Sequence, residues 1–137
     1  MTESECSKCV ITEPRGEIER DGKVIFRGIQ VDQKTMGTDC QLLYSIVTEA
    51  HVNEETPHIH DFPIILSFIG SNPKDIYDFD AEIEFYLGGE KQVITKTSVV
   101  SVPPGMAHCP LIFKRIGKPV VFLEIHLTDE YKRRAVE

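Results

Sequence analysis

The chain has 137 residues, 41% of them hydrophobic and 27% charged, which suits one soluble globular domain with a single core. Fifteen Lys and Arg against 22 Asp and Glu give a formal charge of −7. A nucleic-acid partner, which needs a concentrated basic face, is therefore not expected. The one basic cluster, Lys132-Arg133-Arg134, lies close to Glu130 and Glu137 and suits a solvated tail. Ile64-Ile65-Leu66 with Phe68-Ile69 is the longest apolar run and is far too short to cross a bilayer. No apolar stretch follows the acidic start Met1 to Glu5, so no signal peptide and a cytoplasmic location are expected.

Residues 1–22 are polar, contain Pro14, Gly16 and Gly22, and are expected to form an N-terminal arm with one short strand at Val10-Ile11-Thr12. Within it Cys6-Ser7-Lys8-Cys9 is a lone C-x-x-C. A zinc knuckle needs a second pair and a thioredoxin-like motif needs a strand before it and a helix after it, so two reduced thiols are expected. From Lys23 the sequence becomes β-like. Val24-Ile25-Phe26 and Ile29-Gln30-Val31 surround Gly28, a candidate bulge. Leu42 to Ala50 alternates as a strand, and residues 58–69 form an extended run rich in Ile and Phe.

Ser71-Asn72-Pro73-Lys74-Asp75 has turn chemistry, and the loop is expected to run on to Asp80. Ala81 to Leu87, Gly88-Gly89 and Glu90 to Thr95 predict a hairpin, its glycines supplying positive φ. Ser98 to Val102 is a short strand stopped by Pro103-Pro104. Leu111-Ile112-Phe113 and Val120 to Leu127 flank Gly117-Lys118-Pro119, a second hairpin signal. Thr128 to Ala135, with Asp129 and Glu130 in its first turn, is expected to be a short terminal helix. Many short strands in one small chain predict an all-β sandwich or barrel.

The chemistry lies in His58-Ile59-His60 and Pro103-Pro104-Gly105-Met106-Ala107-His108. Residues two apart on a strand share a face, so His58 and His60 can aim both imidazoles at one point. A third imidazole arriving after a Pro-Gly turn completes a three-nitrogen set suited to a divalent transition metal. His58, His60, Phe62, Ile64, Leu66 and Phe68 have the same parity, a mostly apolar face that belongs inside a barrel. Buried histidines need partners, and either a metal or hydrogen bonds would serve. Outside these motifs, His51 is expected at the surface, and Cys40 and Cys109 as buried packing, with Cys109 pointing away from His108.

His58-x-His60 followed by Pro103-x-Gly105-x-x-His108 resembles the two conserved motifs of the cupin superfamily, over roughly residues 40–127. More narrowly, Glu82 to Glu90 with His108-Cys109-Pro110-Leu111 is similar to a group of small bacterial and archaeal cupins of uncharacterised function. The resemblance implies a double-stranded β-helix (a jelly-roll barrel) spanning residues 23–137 as one domain, and a homodimer. It also implies a divalent metal, Fe, Mn, Ni or Zn, held by His58, His60 and His108. The pattern's Glu ligand would fall at Ile64, which cannot coordinate, while Asp61 has the opposite parity. A three-histidine site, a substitute ligand (Glu82, Glu84 or His126) and a lost site all stay open. His126 is placed on one face with Val120, Phe122 and Glu124.

Three imidazoles leave up to three open positions on an octahedral ion, the arrangement of three-histidine cupin dioxygenases. The pocket is expected to be lined by Tyr44, Phe62, Leu66 and Phe68 and to take a small, partly apolar molecule. Glu82, Glu84 or Tyr86 would supply an acid or base. Two functions follow from the resemblance: a metal-dependent oxidoreductase of dioxygenase type, or a non-catalytic cupin that binds or senses a small molecule, with or without metal. A degenerate barrel with packed histidines is the third reading.

Overall fold

Alternating apolar and polar side chains give strands whose apolar sides must be buried together, and two facing sheets meet that need. The structure, a computed structural model, describes residues 3–13 and 15–136; Met1, Thr2, Pro14 and Glu137 lie outside them. In chain order the elements are α1 (Glu3–Ser7), β1 (Arg15–Arg20), β2 (Lys23–Val31), α2 (Gln33–Met36), β3 (Gln41–Val47), β4 (His51–Glu54), β5 (His58–Ile59) and β6 (Ile64–Gly70). There follow β7 (Ala81–Leu87), β8 (Glu90–Ile94), β9 (Ser98–Val102), β10 (His108–Ile116), β11 (Val120–His126) and β12 (Arg134–Ala135).

The first sheet has the order β1-β2-β3-β11-β6-β9 and the second β12-β5-β10-β7-β8, with β4 also on β10. Every pair is antiparallel, and β11 returns from the far end of the chain to lie between β3 and β6. This is the expected all-β jelly roll. Between the sheets, Phe68 stacks on Phe122 with centroids 5.2 Å apart, and Phe113 meets Phe122 edge to face at 5.5 Å. Ile83, Phe85, Leu111 and Val120 close the same core. The β7–β8 hairpin turns through Gly88 and Gly89, with φ of 57° and 82°, the pair of positive values a two-residue turn requires. Among the described residues no helix is long and apolar enough to cross a membrane.

Several local expectations change. Val10 is exposed and Val10–Thr12 is not a strand; the strand of that region is β1, paired with β2. The irregularity in this ladder falls at Ile18/Glu19 and not at Gly28. Gly28 is needed for close approach instead, because a Cβ there would sit 2.0 Å from the Tyr44 carbonyl oxygen. His51 is half-buried, stacked on Phe113 with centroids 4.9 Å apart. The run 58–69 breaks at 60–63 into β5 and β6. Thr128–Ala135 is no helix: without an apolar stripe of helical period it has no face to bury, and β12 pairs with β5 (Arg134↔Ile59, Ala135↔His58).

Gly28→Ala is expected to destabilise the chain by about 2 kcal/mol through overpacking against backbone that cannot yield. Gly16→Ala, on the neighbouring strand with nothing within 4 Å of its Cβ, is the control. Urea unfolding of both variants checks this, and equal midpoints would contradict the packing described.

Candidate metal centre

Gly105 has φ 85°, where a side chain would strain the backbone, and the Met106 N–H closes the turn onto the Pro103 carbonyl at 3.3 Å. The same turn reaches the other motif, since the Gly105 N–H donates to the His60 carbonyl at 2.9 Å. His108 then opens β10 directly across from His58 in β5. Backbone hydrogen bonds thus fix the two segments against each other before any side chain is considered. His58, His60 and His108 are all buried, at 5%, 4% and 3% exposure. Asp61 stays outside, 3.4 Å from Arg134.

Their ring centroids lie 4.8 Å (His58–His60), 4.4 Å (His58–His108) and 5.0 Å (His60–His108) apart. Each Nδ1 faces a backbone carbonyl: Thr56 for His58 at 2.8 Å, Lys132 for His60 at 2.6 Å, Met106 for His108 at 3.1 Å. A carbonyl can only accept, so each Nδ1 carries a proton, and in the neutral ring Nε2 keeps the lone pair. One ring nitrogen of each histidine lies within 4.8 Å of the others. His108 Nε2 is buried with no protein hydrogen-bond partner. Neutral imidazoles anchored through Nδ1, with unprotonated nitrogens converging, form a donor set that could hold a divalent transition metal. Burial keeps His60 below the usual histidine range. It pushes His108 down to about 4, with the charges of His58 and His60 adding to the effect.

A cavity of about 420 Å³ opens beside His58 and His108. Ile64, Leu66, Phe85 and Leu111 form its apolar wall; Gln30, Gln41, Asn53, Glu54, Glu124 and Tyr131 form its polar side. Ile64 occupies the wall directly across from His126 in the β6–β11 ladder, and Leu66 lies across from Glu124. His126 Nε2–H donates to Glu124 Oε1 at 2.8 Å, and its Nδ1 lies 2.9 Å from the Gln41 side-chain amide. Both nitrogens of His126 are thus engaged away from the three-histidine cluster, although the residue lines the cavity.

Other positions lie elsewhere. Tyr44 alternates with the inward Ser45 and Val47 and is 40% exposed on the outer face. Phe68 belongs to the core, while Phe62 stacks on the His60 ring at 4.7 Å. Glu82 and Glu84 alternate with Ala81, Ile83 and Phe85, which fill the core, so their carboxylates turn outward to Lys114 (3.8 and 3.0 Å). Lys91 also pairs with Glu84 at 3.5 Å. Cys109 breaks the alternation with φ 79°, so it and His108 both line the cavity. Its thiol is pushed up to about 12, chiefly by burial, which leaves it a poor nucleophile. Glu54, Glu124 and Tyr131 were not among the expected site residues. Parity on β11 pointed to Glu124; Tyr131 was hidden in the segment assigned to a helix.

No protein-family model matches the chain, and no curated protein matches it by sequence. Solved structures do match it in shape. The polyketide cyclase RemF from Streptomyces resistomycificus superposes with a TM-score of 0.56 at 14% identity, over 82% of this chain and 72% of that one. KdgF from Halomonas sp. gives 0.52 at 13% identity, over 88% and 89%. Bacillus subtilis oxalate decarboxylase, a protein with Mn(II) centres, gives 0.54 at 19% identity, over 88% of this chain and 29% of its own length. At such identities the likeness is one of fold, and the fold is that of the cupin superfamily.

The depressed histidines make stability depend on pH in a defined direction. Unfolded histidine takes up a proton below about pH 6.5, whereas folded His108 resists until about 4. The unfolded chain therefore binds more protons in between, and stability falls as pH drops through that window. Metal-free protein should show a falling urea midpoint between about pH 6.5 and 5, where carboxylates are still ionised. His108→Gln should flatten that slope. An equally steep slope in the variant would contradict the assignment.

Proposed function

We propose that this cupin-fold chain holds a divalent transition metal through His58, His60 and His108 and binds a small molecule in the adjoining cavity, which it oxidises with dioxygen as the electron acceptor. The observation that carries the reading is the shared tautomer: three buried imidazoles, each donating Nδ1–H to a backbone carbonyl, leave three Nε2 lone pairs converging. Iron, manganese, nickel and zinc all accept such ligands. Once bound, the ion would serve as a Lewis acid or, for iron and manganese, as a one-electron centre. The Mn(II) centres of the oxalate decarboxylase neighbour support a metal in this fold.

The chain's own residues supply the rest. Ile64, Leu66, Phe85 and Leu111 keep water from one side of a ligand and favour its apolar part. The Gln30, Gln41 and Asn53 amides orient its polar part. Glu124, braced by His126, is the carboxylate placed to accept a proton at the cavity wall. Among the described residues no Lys or Arg lines this cavity, so the bound ion would be the positive charge that a ligand's polar or anionic group meets. The same reading has the protein acting in the cytoplasm, supported by four free thiols at Cys6, Cys9, Cys40 and Cys109. It also has the protein as a homodimer, supported by Tyr44, Ile46 and Val99 standing exposed on the outer face of the first sheet.

His58→Ala and His108→Ala should each lower bound metal from near one equivalent per chain to a small fraction, with circular dichroism unchanged. Elemental analysis after loading with iron, manganese or zinc checks this. Full occupancy in both variants would contradict the assignment. Sedimentation velocity should give a dimer for the intact chain and a shift to monomer for Tyr44→Glu with Val99→Glu.

A further inference from the structure

The segment after β11 does more than end the chain. It crosses the mouth of the three-histidine cluster, and the Lys132 carbonyl is the group that accepts the His60 Nδ1–H. Tyr131 lies against the rings of His60 and His126, with centroids 4.9 and 5.3 Å away. Arg133 bonds Glu54 of β4 at 3.0 Å, Arg134 reaches Asp61, and β12 adds a two-residue ladder to β5, the strand that carries His58. His58 and His108 take their Nδ1 acceptors from within two residues of themselves. His60 takes its acceptor from 72 residues away.

The anchors of this segment are weak. Arg133–Glu54 is half-exposed and Arg134–Asp61 is largely in solvent, so neither contributes much. Two strand residues add a short ladder, and Arg134 and Ala135 are exposed. Such a segment opens at small free-energy cost. While it is open, His60 has lost the acceptor that selects its tautomer and holds its ring.

We propose that residues 131–135 form the positioning element of the metal centre: the Lys132 carbonyl and Tyr131 set the His60 ring, Arg133 holds them in place, and metal binding and docking of the segment favour each other. This rests on the metal reading above. Groups that orient a ligating histidine typically contribute 10- to 100-fold in metal affinity. The coupling is reciprocal, so whatever docking adds to metal affinity the metal adds to docking.

Zinc is the probe, its affinity measured by competition with a chromophoric chelator at fixed pH. A chain ending at Glu130 should bind zinc about 10- to 100-fold more weakly than the intact chain. Arg133→Ala should move part of the way and Arg133→Lys should recover most of the loss. In the intact protein, zinc should slow hydrogen exchange of the amides of residues 131–136, a readout that does not depend on the truncated chain folding. Equal zinc affinity in all four proteins, or exchange in this segment unchanged by zinc, would overturn the inference while leaving the metal site standing. No zinc binding by the intact chain would overturn both.

Discussion

Three backbone carbonyls decide the chemistry of this molecule. By accepting the Nδ1–H of His58, His60 and His108 they orient each ring, and one nitrogen of each of these buried histidines lies within 4.8 Å of the others. That is a poor arrangement for a metal-free interior. A buried acceptor with no partner, such as His108 Nε2, costs roughly 1–3 kcal/mol. Burial also keeps the rings from relieving the conflict by protonation, as the lowered positions of His60 and His108 express. A divalent ion would remove the conflict, because three unprotonated imidazole nitrogens form a donor set that could hold one. The Gly105 N–H to His60 carbonyl bond and the His108–His58 cross-strand pair hold the three rings at fixed spacing.

The fourth position shows how the cavity departs from the motif that announced it. Ile64 is buried in the cavity wall and cannot coordinate, so the donor set is one of neutral groups alone. The cavity's carboxylates are Glu124, one strand over and engaged by His126, and Glu54, engaged by Arg133. Moving a carboxylate from ligand position to cavity wall changes its work. A ligand carboxylate lowers the charge of the ion, while a carboxylate on the wall is available to a bound molecule. Amides and an apolar surface surround it on the lining.

Much of this was legible in the sequence, for physical reasons. Alternation put His58 and His60 on one side, Pro103 and Gly105 announced a turn, and Gly88-Gly89 announced a hairpin, because each depends on local backbone geometry. Parity on β11 also placed Glu124 and His126 together. What stayed hidden depends on register and tertiary contact. Glu82 and Glu84 looked available until the β7–β10 pairing set them beside Lys114. Cys109 was assigned away from His108 by strict alternation, which its positive φ interrupts. Tyr131 and the Lys132 carbonyl carried no signal, because their place over His60 exists only once the chain end has crossed the sheet.

The central claim is that three imidazoles, and no carboxylate, hold one metal ion. X-ray absorption at the zinc edge of protein loaded with one equivalent tests it most directly. The account predicts the multiple-scattering pattern of three imidazole rings, with oxygen from solvent completing the shell, and the loss of that pattern together with most of the zinc in His108→Ala. A spectrum without imidazole scattering, or one unchanged by that substitution, would contradict it.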